Sequence, residues 1–251
     1  MMSKDRRVWL WLSLLLAVCV AGSGCGSSAA VPRYHWTDDR AAIQELAARA
    51  KRVKTFTGEA TVRLQRNNGD SVRLDSVIVA EFPRRVRLRA WKFGQAVLDL
   101  TMTPEGTWMV RPEDPSRRER VLPASISAAQ FARGWAMVAG DLADPSAITV
   151  VKVDAYTVCL QRDLDTGMRM LADVDRSYLT ISRQRLLDDK GKARFTLMQD
   201  RYRMFGDIVW PMRLTAISEQ GTIIVEFDNV EFNTPPAPGA FTPPSRAEKL
   251  P

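Results

Sequence analysis

Histidine is almost missing from this sequence: of 251 residues one is a histidine, His35. A single imidazole excludes histidine-based catalytic triads and multi-histidine metal sites. There is also no C-x-x-C, no H-E-x-x-H, no phosphate-binding loop and no dinucleotide fingerprint. The paired acids Asp163/Asp165 and Asp188/Asp189 fall between apolar runs, where carboxylates shape turns. The composition therefore argues against an enzyme, and neither a metal nor a cofactor is expected. Cysteine is scarce too, with Cys19, Cys25 and Cys159. Long apolar runs are limited to Val8–Ala21, too short to span a bilayer comfortably as a mature helix. Finally, no acid occurs between Pro83 and Val97, a stretch holding Arg84, Arg85, Arg87, Arg89 and Lys92.

The chain begins as an export signal does. Lys4, Arg6 and Arg7 precede the apolar run, and small residues follow it. Gly22-Ser23-Gly24-Cys25 resembles a bacterial lipobox, with Gly22 where leucine is usual. That resemblance implies lipidation of Cys25 and removal of residues 1–24. No aspartate follows the cysteine, which by the same resemblance favours the outer membrane, facing the periplasm. Cys19 is lost with the signal and Cys25 carries lipid, so Cys159 has no disulfide partner. Its alternation with Val158 and Leu160 makes it a core thiol. The signal removes three basic residues and one acid, taking the formal charge from +7 to +5. For an exported chain this modest excess does not point to nucleic acid. Residues 25–36 read as a tether, and His35 on it as inert.

A domain over 37–234 follows. Thr37-Asp38-Asp39 supply helix-capping chemistry, and Ile43, Leu46, Ala47, Ala50 and Val53 recur at helical spacing. From Thr55 onward the pattern changes to strict alternation. Phe56, Gly58, Ala60, Val62 and Leu64 share one face, and Asn67-Asn68-Gly69-Asp70 turns the chain. The stretch Asp75–Met102 reads as three strands with one apolar and one polar face. Trp91-Lys92-Phe93-Gly94-Gln95 forms the tip between the last two, and a short strand near 107–111 follows. Ser127 and Gln130 form a capping box ahead of a helical insert over 127–139 bearing Phe131, Trp135 and Val138. Strands resume near 148–153, 156–162, 167–174, 177–186, 192–203, 207–218 and 221–232. The proline-rich tail, 235–251, is expected to lie extended on the surface with Phe241 as its anchor. The expected class is α+β, mostly β: a large curved antiparallel sheet, or half-barrel, whose concave face is covered by the two amphipathic helices.

The order of these elements and several short motifs resemble the LolA/LolB superfamily over roughly Ala42 to Phe241. The motifs are Thr55-Phe56-Thr57-Gly58-Glu59-Ala60, Phe82-Pro83, Val86-Arg87-Leu88-Arg89 running into Phe93-Gly94-Gln95, and Phe241-Thr242-Pro243-Pro244. The resemblance implies an incomplete barrel around an apolar cavity for acyl chains, and Cys25 favours the lipid-anchored LolB type. It further implies that Phe93, before Gly94, touches the membrane, with Trp91 and Lys92 beside it. Aromatics at a tip next to basic residues suit an anionic bilayer surface on physical grounds as well. Val62, Leu64, Leu88, Leu98, Leu100, Phe131 and Trp135 are the candidate cavity residues. Membrane lipid, the acyl chains of lipids or lipoproteins, and a periplasmic LolA-like carrier are the expected partners of a monomer. The competing expectation is an interaction or stress-sensing module, RseB-like, on the same scaffold.

Overall fold

The computed structural model describes residues 29–110, 134, 135, 137, 138, 144–164 and 167–250. Residues 1–24, Cys25 and Phe131 lie outside them, as does most of the expected insert helix.

Helix α1 (Asp39–Arg52) begins where the Asp38 carboxylate accepts the Ala41 N–H at 2.8 Å. That bond satisfies one of the donors left free at a helix start. Ala42, Ile43, Leu46 and Ala47 are its buried stripe. Arg49, Lys51 and Arg52 occupy the last turn, where the helix dipole favours cations. Arg49 also donates to the carbonyls of Tyr178, at 3.1 Å, and Leu179, at 3.0 Å, fastening the helix to the sheet.

One antiparallel sheet holds every strand among the described residues. Its strands are β1 (Thr55–Gln65), β2 (Ser71–Glu81), β3 (Arg85–Lys92), β4 (Gln95–Thr103), β5 (Gly106–Val110), β6 (Ile148–Val153) and β7 (Thr157–Asp163). They continue as β8 (Arg169–Asp175), β9 (Thr180–Leu187), β10 (Ala193–Phe205), β11 (Ile208–Ser218), β12 (Gly221–Phe232) and β13 (Glu248–Lys249). Spatially the order is β13-β5-β4-β3-β2-β1-β12-β11-β10-β9-β8-β7-β6. The sheet is therefore two meanders welded where β1 pairs with β12, Val62 opposite Val225 and Leu64 opposite Ile223. Its two edges do not meet, which makes it an open half-barrel. Register shifts interrupt β1/β12, β3/β4, β6/β7, β8/β9 and β9/β10. An extra residue on one strand increases local twist, so these shifts bend a sheet too wide to stay flat.

The expected alternation sets the faces. Phe56, Ala60, Val62 and Leu64 of β1, Leu74, Ile78 and Ala80 of β2, and Val86, Leu88 and Ala90 of β3 are buried in one continuous core. The opposite phase carries charge. Arg87 holds Asp99 through two hydrogen bonds, at 2.9 and 2.8 Å, and Asp173 takes Arg183 and Arg185.

Two expectations need correction. The strand expected from 177 starts at Thr180. The Asp175 carboxylate accepts the N–H groups of Ser177 and Tyr178, and Leu179 takes a positive φ of 52°, so the turn holds three further residues. The proline-rich tail lies on the surface as expected, but Phe241 is not its one anchor and the tail is not wholly without strand. Glu248-Lys249, four residues beyond Pro244, pair with Met109 and Trp108 as β13, and the carbonyls of Ala240 and Thr242 accept from Arg87. The tail thus shields one sheet edge with a two-residue strand, a common way to blunt an edge.

Residues 29–36 also pack against the domain. Ala29 bridges Met204, the Tyr34 N–H reaches the Ser177 carbonyl at 2.7 Å, and Tyr34 and Trp36 rest on the core.

Candidate functional site

Strand β6 is one end of the sheet and β5 lies one strand from the other; between them in the chain come an insert, residues 111–143, and a short 3-10 turn, Pro145–Ala147. The described part of the insert, Gly134, Trp135, Met137 and Val138, is helical and lies on the inner face. The Trp135 ring is parallel to that of Phe82, 5.8 Å between centroids and 3° between planes, and is 6.0 Å from Phe56. Phe56 in turn stacks on Trp210 at 4.8 Å and meets Phe227 edge-on at 5.4 Å. Phe232 closes the group against Phe56 and Trp210. Such tilted and offset contacts are the arrangements aromatic quadrupoles prefer.

The residues expected to line a cavity fall on this same face. Val62, Leu64, Leu88, Leu98 and Leu100 are all buried in the core, as is Trp135. Register brings Leu88 opposite Leu100 and Ala90 opposite Leu98. The small Gly58, Ala60, Ala80 and Ala90 alternate with them, leaving the aromatic rings room above the sheet.

Two polar side chains interrupt the apolar interior. Gln184, on β9, is 0 % exposed, and Gln199, on β10, is 5 % exposed. The Gln184 Nε2 donates to the Met137 carbonyl at 2.7 Å, which ties the insert to the sheet. The Tyr202 hydroxyl lies 2.6 Å from Gln199 Oε1 and 2.7 Å from the Ile181 carbonyl oxygen. Burial pushes the Tyr202 phenol well above its ordinary pKa, so it stays protonated. Sequence reasoning passed over both glutamines. A signal was present for Gln199, which follows Phe195 and Leu197 in the apolar phase of β10, whereas Gln184 shares its phase with Thr180 and Ser182 and the pattern does not mark it.

The tip between β3 and β4 is tighter than the expected loop. Lys92 pairs with Gln95, so the turn itself is Phe93-Gly94. Both have positive φ, 53° and 73°, the combination that matches the right-handed twist of a hairpin. Phe93 projects into solvent, 93 % exposed, and the Lys92 ammonium lies 5.6 Å from its ring centroid. Trp91 is not at the tip, a correction to the expectation. It belongs to β3, is half-buried, and lies under the Arg89 guanidinium at 5.2 Å. The run of arginines is also less bare than its sequence suggests. Glu81 pairs with Arg85 at 3.3 Å, and Asp99 with Arg87 at 2.8 Å and Arg89 at 3.5 Å. The hydrogen bond to Asp99 raises the Arg87 pKa further, which keeps that pair ionised. Neighbouring strands thus supply the acids missing from the local sequence.

Cys159 is a free, buried thiol whose pKa is raised chiefly by burial, then by a hydrogen bond to Asp173. A raised thiol is a poor nucleophile. Among the described residues no three His, Cys, Asp or Glu side chains converge on a metal-binding position.

Solved structures share this arrangement. The chain has the LolA-superfamily fold. A LolA-superfamily protein from Nitrosomonas europaea superposes with a TM-score of 0.54 at 12% identity, over 80% of this chain and 97% of that one. A DUF1329-family protein from Desulfovibrio piger gives 0.58 at 14%, covering 82% and 98%. A domain from Vibrio parahaemolyticus, described as belonging to outer membrane lipoprotein sorting, gives 0.56 at 11%, covering 81% and 95%. No protein-family model and no curated sequence matches. At these identities the likeness is one of fold.

Proposed function

We propose that this chain is a lipid-anchored envelope protein that takes up acyl chains on the inner face of its LolA-superfamily half-barrel. The observation that carries the reading is the cover over that face. Trp135 sits on Phe56 and Phe82, on the inner face of a sheet whose two edges do not meet. The described insert residues, Gly134, Trp135, Met137 and Val138, are helical and take no place in a strand ladder, so they can lift from the open sheet without breaking one. Val62, Leu64, Leu88, Leu98, Leu100, Phe131 and Trp135 are the proposed contacts for the chain. Each buried methylene contributes about 0.8 kcal/mol, so a C16 tail gains on the order of 10 kcal/mol before ordering costs.

Cys25 is the proposed lipid-bearing N-terminus, at the outer membrane facing the periplasm. Phe93 is the proposed point of bilayer contact, and a LolA-like periplasmic carrier the proposed donor of the cargo. The lipoprotein-sorting description of the Vibrio relative agrees with this assignment.

One experiment addresses both anchor and cargo. A native mass spectrum of the full chain extracted gently from membranes is expected to show an acylated N-terminus at Cys25 and a fraction of molecules with a further non-covalent acyl species. A fluorescent C16 fatty acid should bind the stripped protein, and Leu98→Arg should weaken that binding at least tenfold by placing a charge among the proposed contacts. An unmodified N-terminus overturns the anchor. Failure of the stripped protein to bind the fatty acid overturns the uptake of acyl chains.

A further inference from the structure

We infer that the anchored chain stands on its own membrane through the sheet rim opposite Phe93, with Val153, Tyr156 and Tyr178 set in the headgroup layer. This rests on the proposed lipidation of Cys25 and names the surface that the anchor brings to the bilayer.

Topology separates the two ends of the strands. In an antiparallel meander successive turns fall alternately on opposite rims. The Phe93-Gly94 turn shares one rim with the turns β1–β2, β7–β8, β9–β10 and β11–β12. The turns β2–β3, β4–β5, β6–β7, β8–β9 and β10–β11 form the other. The segment that leads in from the anchor keeps to this second rim. Ala29 bridges Met204 at the end of β10, and the Tyr34 N–H reaches the Ser177 carbonyl in the β8–β9 turn. Cys25 stands four residues before Ala29, a reach of at most about 14 Å. Strand β3 alone, with 8 residues, puts about 25 Å between that rim and the Phe93 tip. The anchor therefore draws the second rim, not the tip, to the bilayer.

That rim carries the side chains a bilayer surface accepts. Of the seven large apolar side chains exposed among the described residues, four, Val151, Val153, Tyr156 and Tyr178, lie on β6, on the β6–β7 turn or on the β8–β9 turn. Thr157 pairs with Asp175, so these two turns are neighbours. Arg176 ties them together: its N–H donates to the Tyr156 carbonyl at 2.9 Å and its guanidinium to the Asp154 carbonyl at 3.0 Å. The same guanidinium lies 5.3 Å from the Trp36 ring centroid, and Trp36 meets Tyr34 edge-on at 6.1 Å. The segment from the anchor thus runs into the same cluster. Tyr156 is 77 % exposed, and a tyrosine ring with a polar tip settles where hydrocarbon meets headgroups. Asp154 and Asp175 stand in these turns, capping backbone N–H groups, so charge does not draw this corner to an anionic surface. The tyrosines and valines carry the contact. Phe93 is then turned away from the bilayer that holds Cys25, and the lipid contact proposed for it is made with a different surface.

The test reads orientation directly. The full acylated chain is reconstituted in phosphatidylcholine vesicles, and the mass of its N-terminus is measured on the same sample. A nitrobenzoxadiazole label is attached at Val153→Cys, near Tyr156, or at Gln95→Cys, near Phe93. A chain without an added cysteine gives the background from the buried Cys159. Brominated phospholipid is expected to quench the label at 153 roughly fivefold more than the label at 95, and aqueous iodide to do the reverse. Tyr156→Asp with Tyr178→Asp should cut lipid quenching at 153 severalfold, and Tyr156→Asp alone serves if the pair does not fold. Equal lipid quenching at 153 and 95 means that the sheet lies on its side, which overturns the inference. A label at 153 that stays open to iodide overturns it too. Quenching at 153 untouched by the aspartates shows that the tether alone sets the orientation, and the docking surface falls. In each of these cases an acyl mass at Cys25 leaves the anchor standing. A chain without that mass ends anchor and rim together.

Discussion

The molecule places aromatic rings in two opposite situations. Around Phe56, Trp210, Phe227, Phe232, Phe82 and Trp135, six rings meet one another on the inner face. At the β3–β4 tip one ring, Phe93, meets almost nothing of the fold except the cation beside it. Each site also has its own glycine. Gly58 lies beneath the Phe56 ring, where a Cβ would come within 2.5 Å of Phe56 Cζ. Gly94 has open space around it and is needed for its positive φ of 73°. In the first region sequence choice is governed by packing. In the second it is governed by backbone geometry, and packing does not explain the phenylalanine. A large apolar group that stabilises nothing in the fold is the better candidate for work outside it.

The comparison can be broken most forcefully at the cluster. Phe56→Ala removes the ring that touches four others and should cost about 3–5 kcal/mol of stability, read as a lower denaturant midpoint with unchanged slope. A loss below about 1 kcal/mol would mean that the cluster is loosely held. Next comes Gly58→Ala, which forces the Phe56 ring off its seat and brings the new methyl to 3.0 Å from Phe227 Cδ1. The expected cost is about 1–3 kcal/mol, and a neutral result would show that the rings can move freely. The smallest effect on stability belongs to Phe93→Glu, within about 0.5 kcal/mol, because the side chain is exposed. In a Cys25→Ser chain the same substitution should lower binding to anionic liposomes severalfold. Unchanged liposome binding ends the membrane-contact proposal for Phe93. Salt should weaken that binding only modestly, since Arg85, Arg87 and Arg89 already have carboxylate partners.

Much of the fold was legible because β-structure writes itself into sequence with a period of two. The alternation in Val86-Arg87-Leu88-Arg89 assigned faces to β3 directly. Turn chemistry at Asn68-Gly69 and Lys190-Gly191 set hairpins where the structure has them. The α1 boundaries followed from Asp38 and a stripe at helical spacing. The errors share a cause. The Asp175 turn was underestimated because side-chain acceptance of two N–H groups, with Leu179 at positive φ, leaves no periodic trace. The proline-rich tail was judged by composition, whereas Glu248-Lys249 formed a strand because an unpaired edge of β5 was waiting for them.

For the candidate site the division is sharper. Local pattern alone determined that Val62, Leu64, Leu88, Leu98 and Leu100 turn inward and that the chain reverses somewhere within Trp91–Gln95, since both depend on neighbours within a few residues. Only the tertiary structure decided that β1 pairs with β12, that Asp99 neutralises Arg87, and that Gln184 reaches the Met137 carbonyl. These pairings join strands, or a strand and the insert, across the sheet. Which partner a backbone edge or a buried polar group finds is set by the register and curvature of the whole sheet, and no window of sequence contains both halves of β1 and β12.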